Sequence, residues 1–270
     1  MKAISILNLK GGVGKTVTAV NTAHILASEH KQRVLLIDCD SQCNATEFFG
    51  LTPSESDVTL DDVLLCNCEP FYGDDITATA YKNLDMIPAS DGLMDLDMSH
   101  ITDNRVHGRV LADLCGAIRE DGAYDYVIFD CPPAFNAASA AALLASDEVI
   151  IPIKLDAFSL RGLANVRRQI ENIRRINSSI RIAGALITMW RNVPVVLDAE
   201  AALRESGVLP VFQTVIRRTD KVDEMTFRQV PIMVSSPYSA AGYDYRNFVQ
   251  ELLEPQLTMD DVEGGTDDGI

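Results

Sequence analysis

Eight residues near the start of the chain, LKGGVGKT from Leu9 to Thr16, constrain its fold more than any other segment. They follow an apolar run from Ala3 to Leu7 and precede a helix-like stretch, so they read as strand, loop and helix start. Gly11, Gly12 and Gly14 let the backbone approach an anion closely, and successive N–H groups at a helix N-terminus point toward it. Lys15 adds a cation and Thr16 a hydroxyl suited to Mg²⁺, which makes the string a candidate nucleoside triphosphate site. Loops of this kind commonly read GxxxxGK[ST]. Here Leu9 replaces the first glycine, and a second lysine, Lys10, stands ahead of the glycine pair. A loop wrapped around phosphate needs one lysine, and a second at its mouth is hard to aim inward at the same group. Lys10 is therefore expected to point across an interface, toward a nucleotide held by another copy of the chain.

With 270 residues, 47% of them hydrophobic, the chain has material for one large α/β domain. No stretch approaches the apolar length that spans a bilayer, and the first residues already form a strand. A cytoplasmic protein without a signal peptide is expected. The net charge of −16 argues against a uniformly basic nucleic-acid binder. The charge is unevenly spread, however. Asp260, Asp261, Glu263, Asp267 and Asp268 crowd a terminal segment with no helical period, so a folded domain is expected over 1–256 and a disordered acidic tail over 257–270. Arginines concentrate between Arg161 and Arg246 instead, where an anionic partner would meet the chain. Cys39, Cys43, Cys66, Cys68, Cys115 and Cys131 form no CxxC pair and no His-assisted zinc pattern, so reduced thiols are expected.

β-Branched apolar runs alternate with amphipathic stretches. They predict strands near 2–8, 33–38, 84–88, 125–130, 148–153, 182–189 and 211–216, with helices between. Such alternation implies a single domain with a mostly parallel twisted sheet, helices on both faces and ligands at the carboxyl ends of the strands. The segment from Gly50 to Thr79 reads as an irregular excursion holding one short helix near Leu60 to Leu65. Two strands end in acids: IDCD in Asp38 and Asp40, VIFD in Asp130. Asp130, followed by Pro132 and Pro133, suits the acid that holds Mg²⁺, usually through water. The two-residue spacing of Asp38 and Asp40 puts both on one face of an extended segment. Asp38 is then expected to support the metal shell with Thr16, and Asp40 to align the attacking water.

With these pieces in place, the chain resembles the ParA/Soj partition ATPases, within the ParA/MinD group of deviant-Walker P-loop NTPases of SIMIBI-like fold. The resemblance spans nearly the whole length. It rests on KGGVGKT (Lys10 to Thr16), IDCDSQCNAT (Ile37 to Thr46), DCPPAFN (Asp130 to Asn136), VIIPIKLDAFSLRGL (Val149 to Leu163), ITM (Ile187 to Met189) and VIRRTDKVDEM (Val215 to Met225). It implies a Mg²⁺-dependent ATPase that closes as a homodimer around ATP. Lys10 would reach the partner's ATP, while Gly11, Gly12, Val13, Gly14, Lys15, Thr16 and Val17 hold their own. Asp38, Met189 and Arg217 would also lie at the nucleotide, and Lys10, Lys15 and Asp40 would serve hydrolysis. The ATP dimer would bind DNA without sequence preference, sit on the nucleoid and respond to a ParB-like centromere-binding protein.

The chain departs from the family pattern at two segments. After Asp40 the usual PQGN reads Ser41, Gln42, Cys43, Asn44, and in the usual VIPRNVRLSEA a proline becomes Arg217 near the expected adenine edge. Arg191, Arg218 and Lys221 match the family's basic loop positions and are the DNA candidates. Arg161, Arg168 and Arg175 recur every seven residues along the helix expected from Phe158 to Ile176, as do Arg167 and Arg174; they read as its solvated face, with a stripe that tracks phosphates as the alternative. A MinD-like membrane-cycling ATPase is the first alternative. It would need a terminal amphipathic helix with a basic polar side, whereas Tyr243 to Leu257 carries Glu251 and Glu254 with Arg246 as its one cation. A nitrogenase-type reductase or a nucleotide-dependent scaffold shares the loop as well; the former would require cluster-binding cysteines.

Overall fold

The computed structural model describes residues 1–54, 57–65, 76–96, 105–156 and 159–254, with backbone alone at 105–108 and 159–161. In chain order the elements are β1 (Lys2–Ile6), α1 (Lys15–Ser28), β2 (Val34–Asp38), α2 (Asn44–Phe48), α3 (Leu60–Leu65), β3 (Thr77–Ala78), β4 (Leu84–Ile87) and a 3₁₀ turn (Asp91–Asp95). There follow α4 (Arg105–Asp121), β5 (Tyr126–Asp130), α5 (Ala137–Ala145), β6 (Glu148–Lys154), α6 (Ser159–Arg174), β7 (Arg181–Trp190) and α7 (Pro194–Glu205). The last elements are β8 (Val211–Arg217), α8 (Asp220–Arg228), α9 (Ile232–Ser235) and α10 (Ala240–Leu253).

The strands form one sheet in the order β3-β4-β2-β5-β1-β6-β7-β8, parallel except for the antiparallel β3. The seven expected strands are all present, each within two residues of the expected limits. β3 is the addition. At two residues it is too short to carry a period, and its pairing with β4 is a tertiary contact.

Continuous apolar strands make sense here because helices cover both faces. Alternate residues of β2 show the consequence: Leu35 and Ile37 enter one core with α4, α5 and α6, whereas Val34 and Leu36 enter the other with α1 and α10. At about 25 cal/mol per Å² of apolar area, each such side chain contributes roughly 1.5–3 kcal/mol when fully buried. α5, the run AASAAALLA, starts at a reciprocal cap in which Asn136 and Ser139 satisfy each other's backbone N–H groups. α10 buries Tyr245, Phe248, Val249 and Leu252 in the second core. The apolar spacing seen in Tyr243 to Leu257 is thus consumed by packing over its described part.

α6 separates its two arginine rows. Arg167 donates to the Val208 carbonyl at 3.0 Å and Arg174 to the Ile180 carbonyl at 3.1 Å, so this row ties the helix to neighbouring loops instead of simply facing solvent. Arg168 and Arg175 are exposed as expected. The expected helix start at Phe158, the side chain of Arg161, Cys66, Cys68, most of the excursion after Leu65 and the acidic tail lie outside the described residues.

β1 sits between β5 and β6, and the chain leaves it for α1 on one side of the sheet. This is where the strand order reverses, and it brings the ends of β1, β2 and β5 together.

Candidate nucleotide site

The loop after β1 is held from below before it wraps anything. Leu7 N–H donates to the Ile150 carbonyl at 3.0 Å, and the buried Asn8 amide donates to the Pro152 carbonyl at 2.7 Å while its oxygen accepts from Lys10 N–H at 3.0 Å. Gly12 and Gly14 have φ of +68° and +83°, a backbone region that costs a side chain about 1–2 kcal/mol. Gly14 is the N-cap of α1. No side chain caps that helix and no acid lies in its first turn, so its N–H groups face the cavity free to hold an anion.

The two lysines diverge. Lys15 is 7% exposed, and its ammonium donates to the Lys10 carbonyl at 3.3 Å across the loop. Burial lowers its pKa, and Asp130 and Asp40 oppose that shift. Lys10 turns away from the cradle and pairs with Asp156, just beyond β6. Val13 is buried, and its carbonyl accepts from the Thr188 hydroxyl at 2.8 Å, which docks the loop on β7.

The three acids also take different positions. β2 and β5 pair in register at Asp38 and Asp130, side by side beneath the loop. Asp38 is fully buried and accepts from Asp40 N–H (3.1 Å), Thr46 N–H (2.9 Å) and the Thr46 hydroxyl (2.8 Å), so it is committed to the start of α2. Burial still pushes its carboxyl up to about 6 against those bonds. Asp40 uses one oxygen to accept from Gln42 N–H at 3.0 Å, which closes the turn, and it lines the cavity. The sequence placed Asp38 and Asp40 on one face; they stay close enough for Asp40 to raise the Asp38 pKa, but Asp38 is spent on the start of α2 while Asp40 lines the cavity.

Asp130 is buried with neither oxygen hydrogen-bonded in normal geometry, though the Thr16 hydroxyl is close enough to lower its pKa. Burial and then Asp38 push that pKa well above the carboxylate range. An uncompensated buried carboxylate beside a threonine hydroxyl fits a hard cation. Among the described residues no group of three His, Cys, Asp or Glu side chains could hold a metal alone, so the remaining ligands would be phosphate oxygens and water.

The phosphate end opens into a cavity of about 490 Å³ bounded by Gly11, Gly12, Gly14 to Val17, Asp40, Gln42, Pro133, Met189 and Gln229. A second cavity of about 210 Å³ shares Gly14, Val17 and Met189 with it and continues to Ile216, Arg217, Thr219 and Tyr245. Met189, at φ +51°, forms the ridge between them. Arg191 and Arg218 are exposed and meet Lys154 around a small cleft at the carboxyl ends of β6, β7 and β8. Lys221 is exposed too, but its ammonium is paired with Glu224 at 2.8 Å.

Sequence reasoning did not single out Asn8, Asp156, Lys154, Thr188 or Asp244. Asn8 touches the motif, and Lys154, Asp156 and Thr188 lie inside strings already noted, so these had a local signal. Asp244 had none.

An uncapped helix N-terminus behind a glycine loop, with a buried lysine above an unpaired buried acid, is built to take a chain of phosphates and its cation. The fold and site thus define a P-loop nucleoside triphosphatase. The AAA domain family (AAA_31) matches residues 1–182. Soj, the sporulation initiation inhibitor protein of Bacillus subtilis, is 32% identical over 93% of this chain and 98% of its own length. The chromosome partitioning protein ParA of Caulobacter vibrioides is 34% identical over 94% of each chain. This chain belongs to the ParA/Soj family of P-loop ATPases. Among solved structures, Cyanothece apo McdA is 25% identical and superposes with a TM-score of 0.82 over 94% of this chain and all of that one. Pyrococcus horikoshii MinD, complexed with Mg-ADP, shares the fold at 23% identity and a TM-score of 0.72 over 94% of this chain and 96% of that one.

Proposed function

We propose that the chain is a Mg²⁺-dependent ATPase switch for DNA partition: ATP closes two copies face to face, the pair binds DNA without sequence preference, and hydrolysis releases it. The carrying observation is the division between the lysines. Lys15 occupies the cradle, so Lys10, outside it on an exposed ion pair, is available to a second nucleotide. Loop N–H groups and Lys15 hold the phosphates, Thr16 and Asp130 hold the cation, and Asp40 orients the water that splits ATP into ADP and phosphate. Bound Mg²⁺ supplies neutralisation of charge on the phosphate oxygens. A cobyrinic acid a,c-diamide synthase of Mycobacterium smegmatis, 26% identical with a TM-score of 0.77, was solved with an ATP analog and magnesium, which supports the choice of ligand. The names of ParA and Soj support the partition role and a ParB-like centromere-binding partner.

DNA contact falls to Arg191 and Arg218 with Lys154 beside them, and less to Lys221, whose charge Glu224 already meets. Phosphate contacts carry no sequence code and weaken steeply with salt. A membrane-cycling reading is less favoured: α10 packs its apolar side inward, and no described helix is long and apolar enough to cross a membrane. A reductase reading is less favoured because Cys131 is 1% exposed and stands buried beside Cys39.

DNA co-sedimentation with ATP, ADP and no nucleotide across a salt series tests this function. Binding with ATP alone, lost as salt rises, is expected; equal binding in all three states removes it. Lys10→Ala should retain ATP and remain monomeric by light scattering, and dimers like those of the parent chain would end the role of Lys10 in trans.

A further inference from the structure

The cleft lined by Lys154, Trp190, Arg191, Val196 and Arg218 gathers positive charge in a chain whose net charge is −16. Elsewhere arginines are matched by carboxylates of the chain itself: Arg33 by Asp125, Arg119 by Asp147, Arg217 by Asp244 and Arg246 by Glu29. Among the described residues no carboxylate pairs with Arg191 or Arg218. Beside them the first turn of α7 presents apolar surface, with Val195 72% and Leu197 43% exposed. Cations flanked by apolar side chains are complementary to a segment that mixes acids with apolar residues. This chain has one in residues 255–270, where Leu257, Met259 and Val262 alternate with Asp260, Asp261 and Glu263, and Asp267 and Asp268 follow. Its point of departure puts it within reach. α10 runs back along β8: Asp244 accepts from Arg217 N–H at 2.9 Å at the end of that strand, and Glu251 accepts from Gln213 N–H at 2.6 Å and Thr214 N–H at 2.9 Å. At about 1.5 Å per helical residue, Glu254 therefore stands about 15 Å back from the level of Arg217. Residues 255–270 can span about 50 Å at about 3.3 Å each, which covers the return to Arg218 with length to spare.

Resting on the DNA reading above, we infer that residues 255–270 dock in this cleft of their own chain, acids on Arg191 and Arg218 and apolar side chains on Val195 and Leu197, and hold the surface offered to DNA until DNA displaces them. The carboxylates stand where phosphates would. Because the segment is tethered, the contact is intramolecular and needs little intrinsic affinity. Salt that screens DNA phosphates screens these acids as well, so both occupants of the cleft weaken together as ionic strength rises.

Trp190 is the chain's one tryptophan and lines the cleft, so its fluorescence reads the contact without nucleotide or DNA. Two full-length variants divide the contributions. Asp260→Asn with Asp261→Asn and Glu263→Gln removes charge; Leu257→Ser with Met259→Ser and Val262→Ser keeps it. At low salt both are expected to differ from the parent chain in Trp190 emission, and the difference should vanish as salt rises. With ATP, the charge variant should bind duplex DNA about tenfold more tightly than the parent and the apolar variant about threefold, at unchanged ATP affinity, which also shows that both are folded. Identical emission in the three chains overturns the inference. So does tighter DNA binding by the charge variant alone, which is repulsion at a distance without contact. An emission difference that appears only on concentrating the protein puts the segment on a second copy and overturns it too. Emission that differs as expected while no chain binds DNA in any nucleotide state means that the DNA reading has failed and the docking has not.

Discussion

The two ends of the nucleotide cavity are built on different plans. The phosphate end comes from one contiguous octapeptide plus two adjacent strand ends, and its recognition groups are backbone N–H donors and buried charges. The second cavity, where the resemblance puts the base, is assembled from residues 188–189, 216–219, 222–223 and 245, and its Arg217 is held by another side chain, Asp244. Phosphate asks for dense positive potential, which a short loop and a helix terminus supply locally. A base asks for a slot of defined width, and that exists only once distant elements pack.

Replacing Lys15 breaks the contrast most sharply. Lys15→Ala removes the one buried cation of the cradle, and loss of a partner in a buried charge contact costs about 2–5 kcal/mol, roughly 30- to 5,000-fold in affinity. Mg-ATP and magnesium tripolyphosphate, which has the phosphates and no base, are expected to weaken together in calorimetry, whereas Arg217→Ala, in the second cavity, should weaken ATP alone. Loss confined to ATP would show that Lys15 serves the base end.

That difference in plan also governs what was legible in the sequence. The seven main strands announced themselves because buried parallel strands are continuous apolar runs, and Gly12, Gly14 and Lys15 because their spacing is the loop. Asp38 was read as support for the metal shell, and its commitment to Thr46 was not visible: the partner is eight residues away across a turn whose sequence shows no preference for that bond. Lys10 was read as pointing across an interface to a nucleotide of a second copy, and its hold on Asp156 of its own chain needed the register that sets the first residues of β6 beside β1. Arg217 was expected at the nucleotide from the resemblance alone, in place of a proline near the adenine edge. That Asp244 would meet it depends on how α10 crosses β8, which no spacing encodes.

A middle-sized effect separates the floor of the phosphate end from the helix behind it. Burial lowers the His24 pKa to about 4 from 6.5, where the ring meets Tyr81 edge-on at 4.8 Å. Between those values the unfolded chain takes up a proton that the folded chain refuses, so His24 makes stability fall as pH drops through that window. Asp38 acts oppositely. With its carboxyl raised to about 6 from 3.8, the folded chain is protonated first and gains stability as pH falls through 6. Denaturant titrations between pH 6.5 and 4.5 should show His24→Gln flattening the acid-side decline by about 1–2 kcal/mol and Asp38→Asn steepening it. Parallel curves for the two variants would mean that neither group titrates as its burial implies.

The smallest expected effect compares strain at the two ends. Cys43, in the segment that carries Asp40, has φ +53°, and Met189, on the ridge toward the base, has φ +51°. Both hold a side chain where glycine fits better, so Cys43→Gly and Met189→Gly relieve the same backbone cost, less what the freer unfolded chain regains. For Cys43 the relief is set against a side chain that packs on the first core and donates weakly to the Ser41 carbonyl at 3.5 Å, so a net change within about 0.5 kcal/mol in denaturant unfolding follows. Affinity for ATP and tripolyphosphate should hold. For Met189 the same relief removes a side chain from the junction of both cavities, so ATP should weaken while tripolyphosphate does not. Equal behaviour of the two glycine variants toward ATP would show that the ridge is backbone alone, and the division between a local phosphate end and an assembled base end would then have to be drawn beyond Met189.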